Sequence, residues 1–332
     1  MKKALVTGGA GFLGNAVVRA IQQRGVKVRV LALPDEALDN LEGTEEVEVI
    51  RGNVMSPEDC VRAVKGMDTV FHCAAIYKDY MADPTPMYEV NLRGTFNMLE
   101  ASRRAKVERV IYTASVAALG RPAPGTIADE QSHYEAWDIN FHYSRSKYHS
   151  MLTALDFANW GLDVRVVCPG LIFGPGDIAP TPSGNLILSI MKGKAPAYTK
   201  GGFSYVDVRD AAEVHARVAE RGRKGEAYIA TGHNLDNDAF MAAVARSSDR
   251  SIPRARKIPA PVALALVSGM TYAKVKAGQT PDMTRPFLEY GLQPGYFSND
   301  KARQQLEAQF RPIEDTIRDA IHYFRGRGLL SA

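Results

Sequence analysis

The chain has 332 residues, 45% of them hydrophobic and 23% charged, and it carries a net charge of +4. A chain of that length buries a substantial core, as one large α/β unit or as two modest domains. Its Lys and Arg residues form no basic stripe, which argues against nucleic acid as a partner. Cys60, Cys73 and Cys168 are widely spaced in or beside apolar stretches. That pattern is typical of reduced core thiols in a cytoplasmic protein, not of a disulfide framework or a metal site.

Two stretches bear on export and on membranes. The basic start and the apolar residues after it imitate a signal peptide, but Thr7-Gly8-Gly9 interrupts the run and no cleavage site follows. The apolar stretch 261–270 is too short to cross a bilayer, so we expect no stable membrane insertion. We predict that the segment from Ala260 to Val275 is a helix packed on the core, with contact to an apolar substrate or a membrane as the alternatives.

The chain begins with a short apolar run, a glycine cluster and a helical apolar period. Ala4 to Val6 is typical of a buried strand, and the helical period starts at Asn15. Between them lies a Gly-x-x-Gly-x-x-Gly pattern formed by Gly8, Gly11 and Gly14. A strand, a tight glycine turn and a helix N-terminus together present bare backbone N–H groups, which favours binding of a pyrophosphate.

Strands and helices then alternate. The strands are predicted at Val26–Leu33, Glu46–Arg51, Thr69–His72, Arg109–Thr113, Asp163–Val167 and Glu226–Ala230. The helices are predicted to begin near Ser56-Pro57, and to span Asn91–Arg104 and His142–Phe157. Such alternation predicts an α/β fold with a parallel, doubly wound sheet and right-handed crossovers.

Two parts are expected in this fold. Residues 1–170 form a dinucleotide-binding domain, to which 205–230 return, while 171–204 and 231–332 mainly form a smaller, discontinuous lobe. Ligands of open α/β sheets lie beyond the carboxyl ends of the strands. We therefore expect the substrate between the lobe and the ends of the fourth to sixth strands.

The strongest chemical signal is Tyr143-Ser144-Arg145-Ser146-Lys147. Positions i and i+4 share one helix face, so the Lys147 ammonium can approach the Tyr143 phenol. A neighbouring cation lowers the pKa of a phenol from its ordinary value near ~10. Tyr143 is therefore the expected proton donor and acceptor, Lys147 tunes it and holds a nicotinamide ribose, and Ser115 orients the reacting oxygen. A solvated helix face is the alternative for Tyr143 and Lys147 alone.

Other polar residues have plainer explanations. His133, His142 and His149 lie near Tyr143 but have no metal-ligand spacing, so no metal is expected. His72 is expected to cap a buried strand end. Tyr77 after the fourth strand, Val116 beside Ser115, and Tyr205 are candidate substrate contacts; a surface loop is the alternative for Tyr77.

Together these segments resemble the extended short-chain dehydrogenase/reductase family, the NAD-dependent epimerases and dehydratases, over essentially the whole chain. The matching segments are Thr7–Gly14, His72–Ala75, Asn91–Thr95, Pro169–Gly170, Gly174–Asp177 and Tyr205–Asp210, besides Ser115, Tyr143 and Lys147. The resemblance implies a Rossmann-type fold, catalytic roles for these three residues, and a homodimer formed by two long helices of each copy.

The glycine pattern and the resemblance together give a set of expected cofactor contacts. They are Gly8, Gly11, Phe12, Leu13, Gly14, Leu33, Asp35, Asn53, Val54, Cys73, Ala74, Ala75, Asn91, Thr113, Tyr143, Lys147, Pro169 and Gly170. The end of the second strand carries no Arg for a 2′-phosphate, while Asp35 or Glu36 could reach a ribose hydroxyl. NAD(P) is therefore expected, with a lean to NAD.

Departures from the family patterns narrow the activity. Ser115-Val116-Ala117 stands where related dehydratases carry Thr-Asp-Glu, and Val167–Leu171 lacks the Asn of many nucleotide-sugar epimerases. The chain is most similar to the reductase branch of dihydroflavonol 4-reductase and 3β-hydroxysteroid dehydrogenase. We expect hydride transfer between a carbonyl and an alcohol in a small molecule. The alternatives are an NAD-dependent sugar or nucleotide-sugar epimerase and a non-catalytic NAD(P)H-binding scaffold or sensor.

Overall fold

The computed structural model describes residues 1–123, 125–134, 141–249, 251–253, 255–281 and 283–331. Its largest element is a parallel seven-stranded sheet with the spatial order β10-β6-β5-β4-β1-β2-β3. The strands are Lys3–Thr7 (β1), Lys27–Ala32 (β2), Val47–Arg51 (β3), Thr69–His72 (β4), Arg109–Thr113 (β5), Val164–Pro169 (β6) and Ala227–Ala230 (β10). Strand order reverses at β1, between β2 and β4, and that is where a crevice opens beyond the carboxyl ends of the strands.

Helices cover both faces of this sheet. Phe12–Gln22 (α1) and Val208–Arg221 (α7) lie on one face, and Pro57–Val64 (α2), Thr95–Arg104 (α4) and His142–Asn159 (α5) lie on the other. Successive side chains of a strand point to opposite faces of the sheet. Ala4 and Val6 of β1 therefore pack with α1 and α7, while Leu5 packs with α2, α4 and α5. The predicted doubly wound α/β fold is confirmed.

Most predicted element bounds agree with the structure. β4 and β5 have the predicted bounds, and Ser56 caps α2 by accepting a hydrogen bond from the Asp59 backbone N–H, with Pro57 at the first helical position. The prediction of one helix over Asn91–Arg104 differs at its start. There, a short helix, Thr85–Tyr88 (α3), runs into a wide turn of π type, Glu89–Gly94, before α4 begins.

The lobe has a sheet and a core of its own. Leu171–Phe173 (β7), Gly202–Asp207 (β9) and His233–Asp236 (β11) form a sheet in the order β11-β9-β7. Its helices are Pro182–Met191 (α6), Asn237–Ser247 (α8) and Ile313–Gly326 (α12), and a two-stranded ladder joins Ala197–Tyr198 (β8) to Arg256–Lys257 (β12). Phe173, Ile187 and Ile317 are buried together in this second core.

Three further helices complete the chain: Ala260–Lys276 (α9), Arg285–Leu292 (α10) and Asp300–Leu306 (α11). α10 packs on α9 and on β9, whereas α11 packs on α7 and β10. Ala302 and Leu306 of α11 accordingly belong to the hydrophobic cluster of the large sheet. α11 therefore packs on the large sheet, whereas α8, α10 and α12 pack on the lobe.

Candidate active site

The glycine turn between β1 and α1 is shaped by close backbone approaches. Gly8 has φ +67°, a left-handed conformation that favours glycine. A Cβ on Gly14 would lie 2.0 Å from the carbonyl oxygen of Gly8, so a side chain there would separate the helix from the turn. Gly11 is the N-cap of α1 and provides no side-chain cap, and the first turn holds no acidic residue. The positive end of the helix is thus open to an anion such as a pyrophosphate.

A buried hydrogen-bonded chain holds the end of β4 against this turn. The Thr95 hydroxyl donates to the Asn91 carbonyl at 2.6 Å, so it accepts from His72 Nε2 at 3.1 Å. His72 Nδ1 then accepts from the Thr7 hydroxyl at 2.8 Å, and Thr7 Oγ1 accepts from the Ala74 backbone N–H at 3.1 Å. Burial lowers the pKa of His72 to about 3, aided by the nearby charge of Lys147. His72 is therefore a neutral brace of the strand end, not an acid or a base.

Lys147 projects from α5 toward the end of β5. Its Nζ donates to the Thr113 carbonyl at 2.9 Å and lies 5.5 Å from the centre of the Tyr112 ring. The side chain is 3% exposed, and burial lowers the pKa of Lys147 to about 8. The ammonium is thus held at one place between α5 and the sheet.

Tyr143 lies one turn before Lys147 on α5. Burial raises the pKa of Tyr143 well above its ordinary value, and a hydrogen bond with the Ser115 side chain opposes that shift. The sequence-based expectation was a pKa lowered by Lys147. In the protein alone that expectation is wrong, because burial dominates and the Lys147 ammonium binds the Thr113 carbonyl. The Tyr143 phenol is a neutral proton donor here.

Ser115 lies just past β5, where a single turn, Val116–Ala118, begins. Its Oγ accepts from the Ala117 backbone N–H at 3.1 Å, which leaves the hydroxyl proton available as a donor. Ser115 and Tyr143 are therefore two hydroxyl groups that converge from a strand end and from a helix. An oxygen placed between them could receive two hydrogen bonds.

Asn91 connects the loop after β4 to α5. The Asn91 amide accepts from the Ile76 N–H at 2.8 Å and donates to the Ile76 carbonyl at 3.1 Å and to Ser146 Oγ at 2.9 Å. Ser146 Oγ in turn donates to the Tyr143 carbonyl at 2.8 Å. The ring of Tyr77, next in the loop, lies 4.5 Å from that of Tyr143, centre to centre. Asn91 thus positions other residues and does not line the cavity.

One cavity connects the glycine turn to Ser115, Tyr143 and Lys147. The predicted residues that line it are Gly8, Gly11, Phe12, Leu13, Gly14, Cys73, Ala74, Ala75, Tyr77, Thr113, Ser115, Val116, Tyr143, Lys147, Pro169 and Gly170. A dinucleotide fits this arrangement, because an open helix N-terminus lies at one end and a buried ammonium at the other.

Several predicted contacts lie outside the cavity. Leu33 and Asp35 are exposed on the loop after β2. Asn53 accepts from the Met55 N–H through its side chain at 2.9 Å, and Val54 is buried in the core under the sheet.

Tyr205 does not line the cavity, so the prediction that it contacts the substrate is wrong. Its ring is 1% exposed and stacks on Phe240, with ring centres 4.6 Å apart and planes within 2°. Phe173 packs beside the pair. Phe203, two residues earlier on the same face of β9, lines the cavity, while Tyr205 lies farther along the strand among the core residues of the lobe.

The lobe supplies cavity residues that the sequence did not reveal. Phe203 comes from β9, and Phe287 and Tyr290 come from α10. Arg121 lies over the Tyr290 ring at 3.9 Å and steadies it. Phe203 is 60 positions from Tyr143 and the two α10 residues are farther still, so the sequence carries no signal that they share a cavity. Glu36, by contrast, lines the cavity, and its position beside Asp35 after the second strand makes it a candidate ribose contact from sequence.

The described part of the chain holds neither a cluster of metal ligands nor a membrane-spanning helix. Within it, no group of three or more His, Cys, Asp or Glu side chains has an arrangement that could hold a metal ion. Nor does any described helix combine the length and apolar character needed to span a membrane.

A parallel sheet with an open helix N-terminus and a Ser, Tyr and Lys set in one cavity defines a nucleotide-dependent enzyme of the Rossmann type. Residues 4–230 match the model of the "NAD dependent epimerase/dehydratase family". The chain belongs to that family, the extended short-chain dehydrogenases/reductases.

Named relatives extend over nearly the whole chain. "Putative dihydroflavonol 4-reductase" from Synechocystis sp. is 32% identical over 329 residues, covering 97% of this chain and 94% of that protein. "Sterol demethylase protein B" from Methylococcus capsulatus is 28% identical, covering 98% and 99%. Among solved structures, a nucleoside-diphosphate-sugar epimerase from Pseudomonas aeruginosa is 26% identical with a TM-score of 0.81, and 99% of each chain is covered. The family is thus shared by reductases and epimerases.

Proposed function

We propose that the protein is an NAD(P)-dependent oxidoreductase that interconverts a carbonyl and an alcohol. The observation that carries this proposal is the single cavity that holds the glycine turn at one end and Ser115, Tyr143 and Lys147 at the other. The residues after Ser115 are Val116 and Ala117, which offer no acid or base for eliminating water. Proton exchange through one phenol is the chemistry that remains.

In the reducing direction each residue has one task. A reduced nicotinamide supplies the hydride to the carbonyl carbon when it is bound. Ser115 donates a hydrogen bond to the carbonyl oxygen, which polarises the bond. The Tyr143 hydroxyl gives its proton to the same oxygen as negative charge develops there. Lys147, one helical turn away on the same face of α5, would then partly offset the charge of the phenolate that is left.

The walls opposite these groups favour an apolar substrate. Phe141 from the start of α5, Leu171 and Ile172 from β7, and Phe287 from α10 line the cavity together with Phe203. Such a surface stabilises a ring or chain by burial and offers few partners for sugar hydroxyls. The names of two relatives, a dihydroflavonol reductase and a sterol demethylase protein, refer to ring compounds and are in keeping with this preference.

For the cofactor, we propose NAD. Glu36 lines the cavity, and its carboxylate accepts from the Leu33 N–H at 3.0 Å, which fixes the charge near the end of β2. A ribose hydroxyl can donate to that carboxylate, whereas a 2′-phosphate would be repelled by it. Arg51, the nearby cation, already donates to the carbonyls of Leu33 and Glu36 at 2.8 and 2.7 Å. Glu36→Gln should raise kcat/KM with NADPH relative to NADH, and an unchanged ratio would contradict this assignment.

The direct test is a cofactor-coupled screen at ~340 nm, the nicotinamide absorbance, with aldehydes, ketones, hydroxysteroids and nucleotide sugars. Each is tested with NADH and with NADPH. The proposal is supported if the protein turns over apolar carbonyls and if Tyr143→Phe lowers that turnover at least 10²-fold. The Kd for the cofactor should stay unchanged in the variant. Full activity in Tyr143→Phe would sink it.

The same screen separates the competing functions. A protein that retains NAD through purification and converts a nucleotide sugar without net absorbance change is an epimerase. Cofactor binding with no turnover of any substrate indicates a scaffold or sensor.

We also propose a homodimer through α4 and α5. These helices pack side by side and leave Phe96, Leu152 and Trp160 exposed, Trp160 by 66%. The rings of Phe96 and Trp160 both contact the buried Phe157, so they form one aromatic surface. A sedimentation mass of two chains that falls to one in Trp160→Glu would support this; a monomeric wild type would contradict it.

A further inference from the structure

Helix α9 exposes most of its apolar side chains. Among its seventeen residues only Ala263 is buried, which contradicts the expected helix packed on the core. Val262, Leu266 and Met270 are 48%, 55% and 58% exposed, and they follow one another at intervals of four residues. Residues at that spacing form one continuous strip along a helix. A contiguous strip differs from the single, scattered apolar residues that protein surfaces ordinarily expose.

The opposite side of α9 attaches it to the rest of the lobe. The Thr271 hydroxyl donates to the Met283 carbonyl at 3.1 Å, and the helix packs against α10. α9 is therefore fixed to the lobe. α10 also carries Phe287 and Tyr290 of the cavity wall, so only α10 separates α9 from the candidate active site.

The sequence around α9 carries an excess of basic over acidic residues. Residues 250–281 contain six Lys or Arg and no Asp or Glu, although an aspartate flanks each end of this stretch. Arg256 and Lys276 are exposed before and at the end of the helix, and Lys257 pairs with Asp238. An apolar strip bordered by cations is the composition of helices that lie in the headgroup region of anionic bilayers.

We propose that α9 binds peripherally to the surface of an anionic lipid bilayer. Val262, Leu266 and Met270 enter the boundary between headgroups and acyl chains, while Lys276 and Arg256 contact lipid phosphates. A second copy of the chain fits this surface less well. A two-fold contact is isologous and would bring the two basic segments against each other. The proposal concerns a surface and does not depend on the reaction at Tyr143.

The test is co-sedimentation of the full-length protein with vesicles. Phosphatidylcholine vesicles are compared with vesicles that contain roughly a third phosphatidylglycerol, at low salt and at high salt. We expect sedimentation with the anionic vesicles only, and weaker binding at high salt. Leu266→Glu should weaken binding at least tenfold. Val61→Glu is the matched control, because Val61 is 53% exposed on α2 and receives the same charge, and it should bind like the wild type.

Three outcomes would overturn the proposal. The first is the absence of sedimentation with anionic vesicles. The second is binding that Leu266→Glu and Val61→Glu weaken equally. The third is a self-association, measured by sedimentation velocity without lipid, that Leu266→Glu abolishes, because α9 would then be covered by a second copy. Unchanged thermal melting of both variants shows that a loss of binding is not a loss of folding.

Discussion

The two sides of the cavity are built in different ways. On the sheet side, Thr7, His72, Thr113 and Lys147 are buried polar residues, and each is fixed by a hydrogen bond to a strand end or to a neighbouring helix. On the lobe side, the wall consists of aromatic side chains from separate segments, such as Phe203 and Phe287. In the proposed reaction, the first side constrains where a proton and a cofactor go, and the second constrains which substrate fits. Substitutions on the two sides should therefore change different kinetic constants.

Lys147→Met should produce the largest loss of turnover. We expect kcat to fall by about 10²–10⁴-fold, because the phenolate of Tyr143 would lose its buried counter-charge. Stability should not fall, since the lowered pKa of Lys147 shows that burial already disfavours its charged form. Kinetics and urea unfolding of the same preparation measure both effects. Loss of stability together with activity would mean that Lys147 is a structural residue.

Gly14→Ala should impair cofactor binding. Its Cβ would lie 2.0 Å from the Gly8 carbonyl oxygen, so α1 must move away from the turn, at a cost of about 1–3 kcal/mol in the free energy of unfolding. We expect the Kd for the cofactor, measured by fluorescence titration, to rise at least tenfold. Gly269→Ala on α9 is the matched control, since a Cβ there meets nothing within 4 Å. Equal effects of the two substitutions would contradict the role of the close approach.

Phe287→Ala should change selectivity on the lobe side. Removing this ring from the cavity wall should lower kcat/KM for a bulky apolar carbonyl by about tenfold, mainly through KM. A small aldehyde that does not reach the lobe should keep its kcat. If kcat fell equally for both substrates, Phe287 would act on the reaction step and not on the choice of substrate.

His215 should make the free energy of unfolding depend on pH. Its Nε2 accepts from the Thr113 hydroxyl at 3.0 Å and its Nδ1 donates to the Ala211 carbonyl at 2.7 Å, while burial lowers its pKa to about 4. Between pH 6.5 and 4, His215 is protonated in the unfolded chain but not in the folded chain. The free energy of unfolding of the wild type therefore falls as the pH falls. The stability advantage over His215→Gln should shrink by about 1.4 kcal/mol per pH unit in urea unfolding. A constant advantage would contradict the buried neutral state.

The sheet side could be predicted from sequence because its determinants are local. Gly8, Gly11 and Gly14 lie within seven positions, and Tyr143 and Lys147 lie on one helical turn, so spacing alone places them. The alternation of apolar strand segments with helical ones predicted the strands, and Ser56-Pro57 predicted the start of α2, because these signals are also local.

The lobe side depends on long-range packing. Nothing adjacent to Phe203 or Tyr205 indicates which of them lines the cavity, because both lie on one face of β9 and the packing of distant lobe elements along the strand decides it. The exposure of α9 is also a tertiary property. Its apolar sequence equally suits a helix buried in the core, and only the position of α10 shows which face remains uncovered.

The wide turn at Glu89–Gly94 has a mechanical consequence. It presents Asn91 to Ile76 on one side and to Ser146 on the other, so the loop that carries Tyr77 and the helix that carries Tyr143 move as one body. A ligand cannot widen the site by pushing these two rings apart. Room for a larger substrate must come from α10 and β9, and a lineage that changes its substrate will accumulate its substitutions there.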